Sequence, residues 1–410
     1  MRECGKRATI ALVLVGLLAG SGCQPSGGST TPGPGGRTSS APVSSPTPSD
    51  AASPTPTERT PGIATCAALA AGMELEQRIG QLMMVAVDST GLGSATADTL
   101  DDVHAGSVLL LGNTDAGRKA VMRVTDEVRA AIRPPAGIGV LLAADQEGGQ
   151  VQRLSGKGFD RIPSAAKQAD LSDGELRERA EKWGKQLKKA GIDVNLAPVA
   201  DVVPKELADD NEPIAGLDRG YGSDPEEVGA KVAAFTEGMA DAEVATGLKH
   251  FPGLGRVRGN TDFTSKVVDR STTDDDPGFA SFRAGIDAGA DMIMIANAYY
   301  DKIDDDRQAV FSKKIVTGLV RDRLGFTGVV ISDDLAAAGV ADVRPGRRAT
   351  RFIGAGGDLM IIGDPDEAEE MAEALAEKAE DDTEFDARIT ESVIRVLALK
   401  SRHGLASCSA

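Results

Sequence analysis

From residue 82 onward the chain repeats one pattern eight times: a short apolar run, then a longer amphipathic stretch. The eight runs are five or six residues long and are Leu82–Val87, Gly106–Leu111, Gly139–Ala144, Val194–Val199, Ala245–His250, Asp291–Ala296, Gly328–Ser332 and Asp358–Ile362. Continuous rather than alternating apolar character is typical of a strand buried on both faces. The sequence therefore predicts a parallel sheet covered by helices.

The stretches between these runs carry helical signals. Five helices are predicted, over Asp115–Ile132, Ser172–Ala190, Ser223–Ala242, Ser312–Leu324 and Pro365–His403. Ser172–Glu175 resembles a capping box, and Pro225 stands early in its helix. Eight strand–helix units predict an α/β fold, a single TIM-type (β/α)8 barrel over residues 63–410. A doubly wound sheet is the alternative, but eight units fit it less well and no G-x-G-x-x-G follows the first strand.

The first 62 residues differ from this pattern. Arg2, Lys6 and Arg7 precede the apolar run Ile10–Gly20, which is shorter than the roughly 20 residues needed to cross a bilayer. Residues 1–23 are therefore expected to be a signal peptide, with lipobox-like small residues before Cys23 as a lipidation site. An ordinary secretory signal with an incidental cysteine is the alternative.

Residues 24–62 hold 9 of the 20 prolines and no aromatic residue. Such a segment cannot bury enough apolar surface to offset its ordering entropy, so we expect a disordered linker. Together with Cys23, it predicts an exported protein, held on the outer face of the cell membrane by a lipid anchor only, or secreted.

Cysteine positions fit an exported protein. Cys66 and Cys408 stand at the two ends of the predicted domain. Because exported proteins meet oxidising conditions, these two are expected to form a disulfide, with two free thiols as the alternative.

The charge balance narrows the partners. The formal net charge is −17, which argues against nucleic acid or an anionic lipid surface as the main partner. With 3 histidines, a metal site built on a histidine cluster is not expected, and no cofactor is implied.

Polar residues follow five of the predicted strands, where a barrel places its active site. They are Asp145–Gly149 with Arg153 after the third, Asp201 after the fourth, Lys249-His250 and the Gly-Pro-rich turn Phe251–Gly255 at the end of the fifth, Asn297 after the sixth and Asp333-Asp334 after the seventh. Converging carboxylates and cations suit a polyhydroxylated ligand, since charge-assisted hydrogen bonds recognise sugar hydroxyls.

These segments resemble glycoside hydrolase family 3, in order and over roughly residues 75–365. Lys249–Gly255 is similar to its Lys-His-Phe-Pro-Gly-His-Gly signature, and Asp145–Arg153 to Asp-Gln-Glu-Gly-Gly-Arg-Val-Gln-Arg. Asn195–Asp201, Arg219–Gly222 and Ser332–Leu335 resemble three further segments. The resemblance is strongest to single-domain β-N-acetylglucosaminidases of cell-wall recycling.

The resemblance implies a role for each matching residue. Asp333 matches the nucleophile that forms a glycosyl-enzyme. The residues implied to hold sugar hydroxyls are Asp145, Arg153, Arg219, Lys249 and His250.

The chain departs from the family pattern in one loop. Leu254 stands where the second histidine of the signature belongs, and the Asp-Ser-His that carries the family's acid/base dyad is replaced by a segment without histidine. Asp262 is the acid/base candidate there; a hydroxyl-binding role is the alternative. Glycines at 253, 255 and 259 are expected to let this loop move as a lid.

The sequence thus predicts an exo-acting, retaining β-N-acetylglucosaminidase that removes terminal N-acetylglucosamine from peptidoglycan-derived fragments. Three alternatives stay open: a catalytically weakened sugar-binding lipoprotein, an exo-β-glycosidase such as a β-glucosidase, and a transporter-linked solute-binding lipoprotein. The last would need two lobes with a hinge, against which the eight regular units speak.

Overall fold

The structure, a computed structural model, describes residues 62–135 and 137–408. The predicted signal peptide, Cys23 and nearly all of the predicted linker lie outside the described residues. The first described element is the helix α1, which begins at Gly62.

Eight parallel strands form the centre of the fold. They are β1 Met83–Asp88, β2 Ser107–Leu111, β3 Leu141–Ala144, β4 Val194–Asn195, β5 Ala245–Phe251, β6 Met292–Ile295, β7 Val329–Ser332 and β8 Met360–Ile362. Their spatial order is β7-β6-β5-β4-β3-β2-β1-β8, and a parallel bridge between Ile331 and Leu359 brings the two edges together. The predicted (β/α)8 barrel is confirmed.

Helices surround the strands. They are α1 Gly62–Ala71, α2 Leu75–Gln81, α3 Ser94–Asp102, α4 Arg118–Ala131, α5 Ala165–Gln168, α6 Asp173–Lys188, α7 Pro225–Asp241, α8 Phe279–Asp287, a π-helix Lys314–Arg323, α9 Pro345–Ala355, α10 Ala368–Asp381 and α11 Thr383–Arg402. Pro225 is the first residue of α7, and the Asp224 side chain accepts hydrogen bonds from Glu226 N and Glu227 N. Among the described residues, no helix is both long and apolar enough to cross a membrane.

Two predicted helices differ in the structure. The predicted helix Pro365–His403 breaks at Asp382, whose side chain accepts hydrogen bonds from Glu384 N and Phe385 N at 3.1 Å each and so starts α11. The segment predicted as a helix over Ser312–Leu324 is wound as a π-helix, and its last turn closes through Leu324 N to Leu319 O.

The strands are buried on both faces, as their continuous apolar character predicts. Along β1, β2 and β3 most side chains are fully enclosed, and β4 is short but is continued by a bridge between Val199 and Lys249. A disulfide joins Cys66 of α1 to Cys408 beyond α11. It ties the two ends of the described domain together.

Candidate active site

The carboxyl ends of the strands gather the polar residues into one mouth. Asp145 follows β3, Lys249 and His250 belong to the end of β5, and Asp333 follows β7. A two-stranded hairpin, Gln146–Gly148 with Val151–Gln152, extends from β3 over the mouth. Because parallel strands end at the same edge, residues far apart in sequence meet here.

Lys249 lies at the centre of an ionic network. Its Nζ is 2.5 Å from Asp145 Oδ1 and 2.7 Å from Glu147 Oε1. Arg219 reaches the same glutamate with two parallel bonds, Nε to Oε2 at 2.9 Å and Nη2 to Oε1 at 2.8 Å. The bidentate geometry fixes the orientation of the guanidinium group as well as its position.

These charges hold one another in their ionised forms. Burial alone would raise the pKa of Glu147, but the charges of Arg219 and Lys249 outweigh it and hold that pKa well below its usual range. For Lys249, burial acts to lower the pKa, and the carboxylates of Asp145 and Glu147 raise it overall. The lysine therefore stays a buried ammonium group, and two of its three N–H donors face Asp145 and Glu147.

His250 is held by a carboxylate that the sequence analysis gave no role. Asp201 Oδ2 lies 2.7 Å from His250 Nδ1, and Asp201 also accepts the backbone N–H groups of His250 and Leu254. The other ring nitrogen, Nε2, lies 3.3 Å from Arg219 Nη2. This imidazole is thereby fixed between the ionic network and the fourth strand.

Asp333 differs from its neighbours because its negative charge is little compensated by positively charged side chains. The carboxylate is partly buried and accepts one backbone hydrogen bond, from Asp334 N at 2.9 Å. Withdrawal from water raises its pKa to about 6; His250 opposes this shift, while the negative charges of Asp262 and Asp334 add to it. Near neutral pH it is an ionised carboxylate that burial disfavours, as a nucleophile requires.

Asp334 is oriented by backbone groups. Its Oδ1 accepts from Ala336 N and Gly363 N, each at 2.8 Å, and burial raises its pKa. Its carbonyl oxygen accepts a hydrogen bond from Asn297 Nδ2 at 2.7 Å. The side chain thus shapes the turn that presents Asp333.

Asp262 is exposed at the tip of the loop after β5. The backbone of this loop bonds to the segment after Asp334, through Gly339 N to Thr261 O at 2.8 Å and Ala338 N to Asp262 O at 3.4 Å. The Asp262 carboxylate therefore lies on the side of the mouth where Asp333 emerges. Its negative charge acts on Asp333, whose pKa it raises.

The base of this loop is packed, contrary to the expectation of a lid hinged at its glycines. A Cβ on Gly255 would lie 1.9 Å from the carbonyl oxygen of Val202, so close packing of two backbones requires glycine there. Asn211 Nδ2 also donates to Leu254 O and Val257 O at 2.8 Å each. The expected freedom is wrong for Gly255.

Arg153 lies at the rim rather than in the ionic network. Its Nη1 donates to Asn113 Oδ1 at 3.3 Å, and its backbone N–H bonds to Asp145 O. Within the described part of the chain its Nε is buried and has no hydrogen-bond partner. Arg153 therefore takes no part in the network around Lys249.

Three polar residues of the mouth were predicted only as members of the strand-end group, without individual roles. Glu147, Asp201 and Asn297 are all buried there. Each stands just beyond a predicted strand, which was the available signal. Their partners lie on other strands, so sequence spacing could not assign them.

Away from the mouth, Asp304, Asp305 and Asp306 bring their carboxylates within 4.8 Å of one another. Two of them are exposed, and Asp304 accepts a hydrogen bond from Ser312 Oγ. Exposed acidic groups often lie together without a metal, so no function is assigned to this group.

A (β/α)8 barrel with a buried ionic network and an uncompensated carboxylate at its mouth is the arrangement of a carboxylate-dependent glycoside hydrolase. Residues 74–399 match the glycosyl hydrolase family 3 N-terminal domain, and the chain belongs to this family.

Similar proteins agree with this assignment. A β-hexosaminidase of Xylella fastidiosa strain M23 is 32% identical over 304 residues, spanning 72% of this chain and 87% of the relative. The crystal structure of a β-N-acetylhexosaminidase from Beutenbergia cavernae is 44% identical with a TM-score of 0.79, covering 80% of this chain and 99% of that one. A family 3 β-N-acetylglucosaminidase from Paenibacillus sp. FPU-7 is 26% identical with a TM-score of 0.73, covering 82% of this chain and 64% of that one.

Proposed function

We propose that this protein is an exo-acting, retaining β-N-acetylglucosaminidase that removes terminal N-acetylglucosamine from peptidoglycan-derived fragments. The observation that carries the proposal is Asp333, a carboxylate with a raised pKa beside a network of fixed charges. The names of the Xylella and Beutenbergia relatives support the N-acetylhexosamine specificity.

In this proposal, the ionic network binds the terminal sugar. Asp145 offers an acceptor and Lys249 its third N–H donor to hydroxyl groups, and Arg219 and His250 extend this surface. Because these groups already pair with one another, they are oriented before the substrate arrives. Preorganised polar groups lose little entropy on binding, which favours a specific sugar orientation.

The chemistry then follows in two displacements. The Asp333 carboxylate attacks the anomeric carbon while Asp262, protonated, gives its proton to the leaving oxygen. This forms a covalent glycosyl-enzyme and frees the aglycone. Asp262 next takes a proton from water, whose oxygen attacks the same carbon and releases Asp333, so that two inversions give net retention.

A direct experiment tests the reaction. Purified protein is assayed on 4-nitrophenyl β-N-acetylglucosaminide, β-glucoside and β-xyloside, with the inactive Asp333→Asn variant as the control for contaminating enzymes. Preference for the first substrate, with the β-anomer appearing first in proton NMR, is expected. Preference for the glucoside would support the β-glucosidase alternative, and initial release of the α-anomer would refute retention.

A sugar-binding lipoprotein without turnover is the second candidate, and one observation favours it. Leu254, which stands where the family signature has its second histidine, is buried and carries no proton donor. The remaining candidate in this loop, Asp262, is exposed to solvent. Calorimetry with N-acetylglucosamine separates the two candidates. Binding without hydrolysis of any glycoside would establish the second.

We further propose that the protein is exported and lipid-anchored through Cys23, or secreted if that site is not used. The basic residues before Ile10–Gly20 and the proline-rich segment after Cys23 support this proposal. Metabolic labelling of the full chain with a fatty acid analogue is expected to mark the wild type. Equal labelling of a Cys23→Ala variant would contradict lipidation at this residue.

A further inference from the structure

Phe263 is the one strongly exposed large apolar side chain among the described residues. It is 82% exposed, whereas Met122, the next most exposed large apolar side chain in that part of the protein, is 39% exposed. Aromatic residues make up only 3% of the chain, and most of the other phenylalanines are buried in the core. A single exposed apolar residue is ordinary by itself, so its position must decide its meaning.

That position is directly after Asp262. The turn that carries both residues is held in shape, because Asn260 Oδ1 accepts from Asp262 N at 3.0 Å and Asn260 O accepts from Phe263 N at 3.2 Å. The turn is also fixed to the segment that follows Asp333, because Gly339 N donates a hydrogen bond to Thr261 O. Phe263 therefore stands on a turn attached to the segment that follows Asp333.

A glycosidase separates its two binding positions by the scissile bond. The terminal sugar lies among the nucleophile and the hydroxyl-binding groups, and the leaving group lies beside the proton donor. A residue next to Asp262 in a fixed turn is therefore next to the leaving group. An aromatic ring there can cover the apolar C–H face of a pyranose ring, which removes apolar surface from water.

We propose that Phe263 is a specificity-determining residue that packs against the sugar ring of the aglycone. This inference rests on the proposed function, because it uses Asp262 as the proton donor. It predicts that the enzyme distinguishes a sugar leaving group from a small alkyl leaving group, although both depart as poor alkoxides that need protonation.

The test compares two substrates and four proteins. Wild type, Phe263→Ala, Phe263→Trp and the control Met122→Ala are assayed on the disaccharide GlcNAc-β-1,4-GlcNAc and on methyl β-N-acetylglucosaminide. We expect Phe263→Ala to lower kcat/KM for the disaccharide about tenfold and to change the methyl glycoside less than about twofold. Phe263→Trp should restore the disaccharide rate, and Met122→Ala should match the wild type on both substrates.

Equal losses on both substrates in Phe263→Ala would overturn the proposal, since they would mean that Phe263 only maintains the turn. No loss on either would overturn it too. A wild type that hydrolyses neither glycoside would refute the proposed function itself. That result is distinct, because it appears before any variant is compared.

Discussion

Two aspartates at opposite ends of adjacent strands lie in opposite electrostatic surroundings. Asp358 precedes β8, at the end of the barrel where the strands begin, and Asp333 follows β7, at the mouth. Asp358 Oδ1 accepts from Arg388 at 2.7 Å, Arg395 at 3.2 Å and Ser392 Oγ at 3.0 Å, while its Oδ2 pairs with Arg321 and accepts Val330 N at 2.9 Å.

Asp333 has nothing comparable. In the described ranges no arginine or lysine forms an ion pair with it, and it accepts one backbone hydrogen bond. The comparison teaches that this fold pairs a carboxylate fully with positive charges at one end of the barrel and leaves one largely unpaired at the other, where the proposed nucleophile stands. The barrel separates these two uses by the length of a strand.

The largest expected effect is the loss of catalytic rate when Asp333 is replaced. Asp333→Asn removes the proposed nucleophile but keeps the shape of the side chain, so kcat should fall by about 10⁴-fold or more, near 5 kcal/mol of barrier. The rate is measured by single-substrate hydrolysis of an aryl β-N-acetylglucosaminide. A variant that keeps a tenth of the wild-type rate would contradict the assignment.

The same variant should be more stable than wild type at pH 7. Folding raises the pKa of Asp333 from 3.8 to about 6, so above pH 6 the ionised carboxylate destabilises the native state. Because the group is only partly buried, the gain on removing the charge is on the order of 1–2 kcal/mol. The gain should vanish as the pH falls toward 4, as urea unfolding at both pH values can show.

The next largest effect is the loss of stability when Asp358 is replaced. Asp358→Asn leaves three arginines around a neutral group, and we expect a loss of about 4 kcal/mol in the free energy of unfolding. Activity per folded molecule should be unchanged, because the site is at the other end of the barrel. Urea unfolding and active-site titration measure the two quantities.

Asp381→Asn, at the exposed end of α10, is the matched control and should change stability by less than about 0.5 kcal/mol. If Asp358→Asn lost no more stability than this control, the buried ion network would be of no consequence for folding.

A smaller effect concerns the proton donor. If Asp262 protonates the leaving oxygen, Asp262→Ala should lower kcat/KM by about a hundredfold for the disaccharide but much less for a dinitrophenyl glycoside, whose leaving group needs little protonation. Azide should restore turnover of the activated substrate by replacing water as the nucleophile. Equal losses on both substrates would make Asp262 a binding residue.

The smallest expected effect is a change in the pKa of Asp333, with the carboxyl group itself left in place. The kcat/KM of the wild type should rise with pH through about 6, as the nucleophile ionises. Asp334→Asn keeps the acceptor for Ala336 N and Gly363 N but removes a negative charge that raises the pKa of Asp333. In this variant the acid limb of the kcat/KM profile should move to a pH lower by about half a unit. A shift upward would show that the two carboxylates do not interact in this way.

The local periodicity of the sequence was sufficient to predict the barrel. Continuous apolar runs mark strands by burial, and residues after such runs must lie at one edge of a parallel sheet. This is why the chain order alone groups Asp145, Lys249, His250 and Asp333 at one mouth. The break at Asp382 was not predicted, although an aspartate before Thr-Glu is a helix-start signal.

Only the tertiary structure decided which charges pair. Glu147 meets Arg219 and Lys249 across 72 and 102 positions of sequence, and Asp201 meets His250 across 49. Chain order places Asp333 after one apolar run and Asp358 at the start of another, but it does not show which side chains surround either carboxylate. Arg388 and Arg395 of α11 pair with Asp358, whereas burial and the negative charges of Asp262 and Asp334 raise the pKa of Asp333. Such through-space neighbours are set by the packing of the fold and not by chain order.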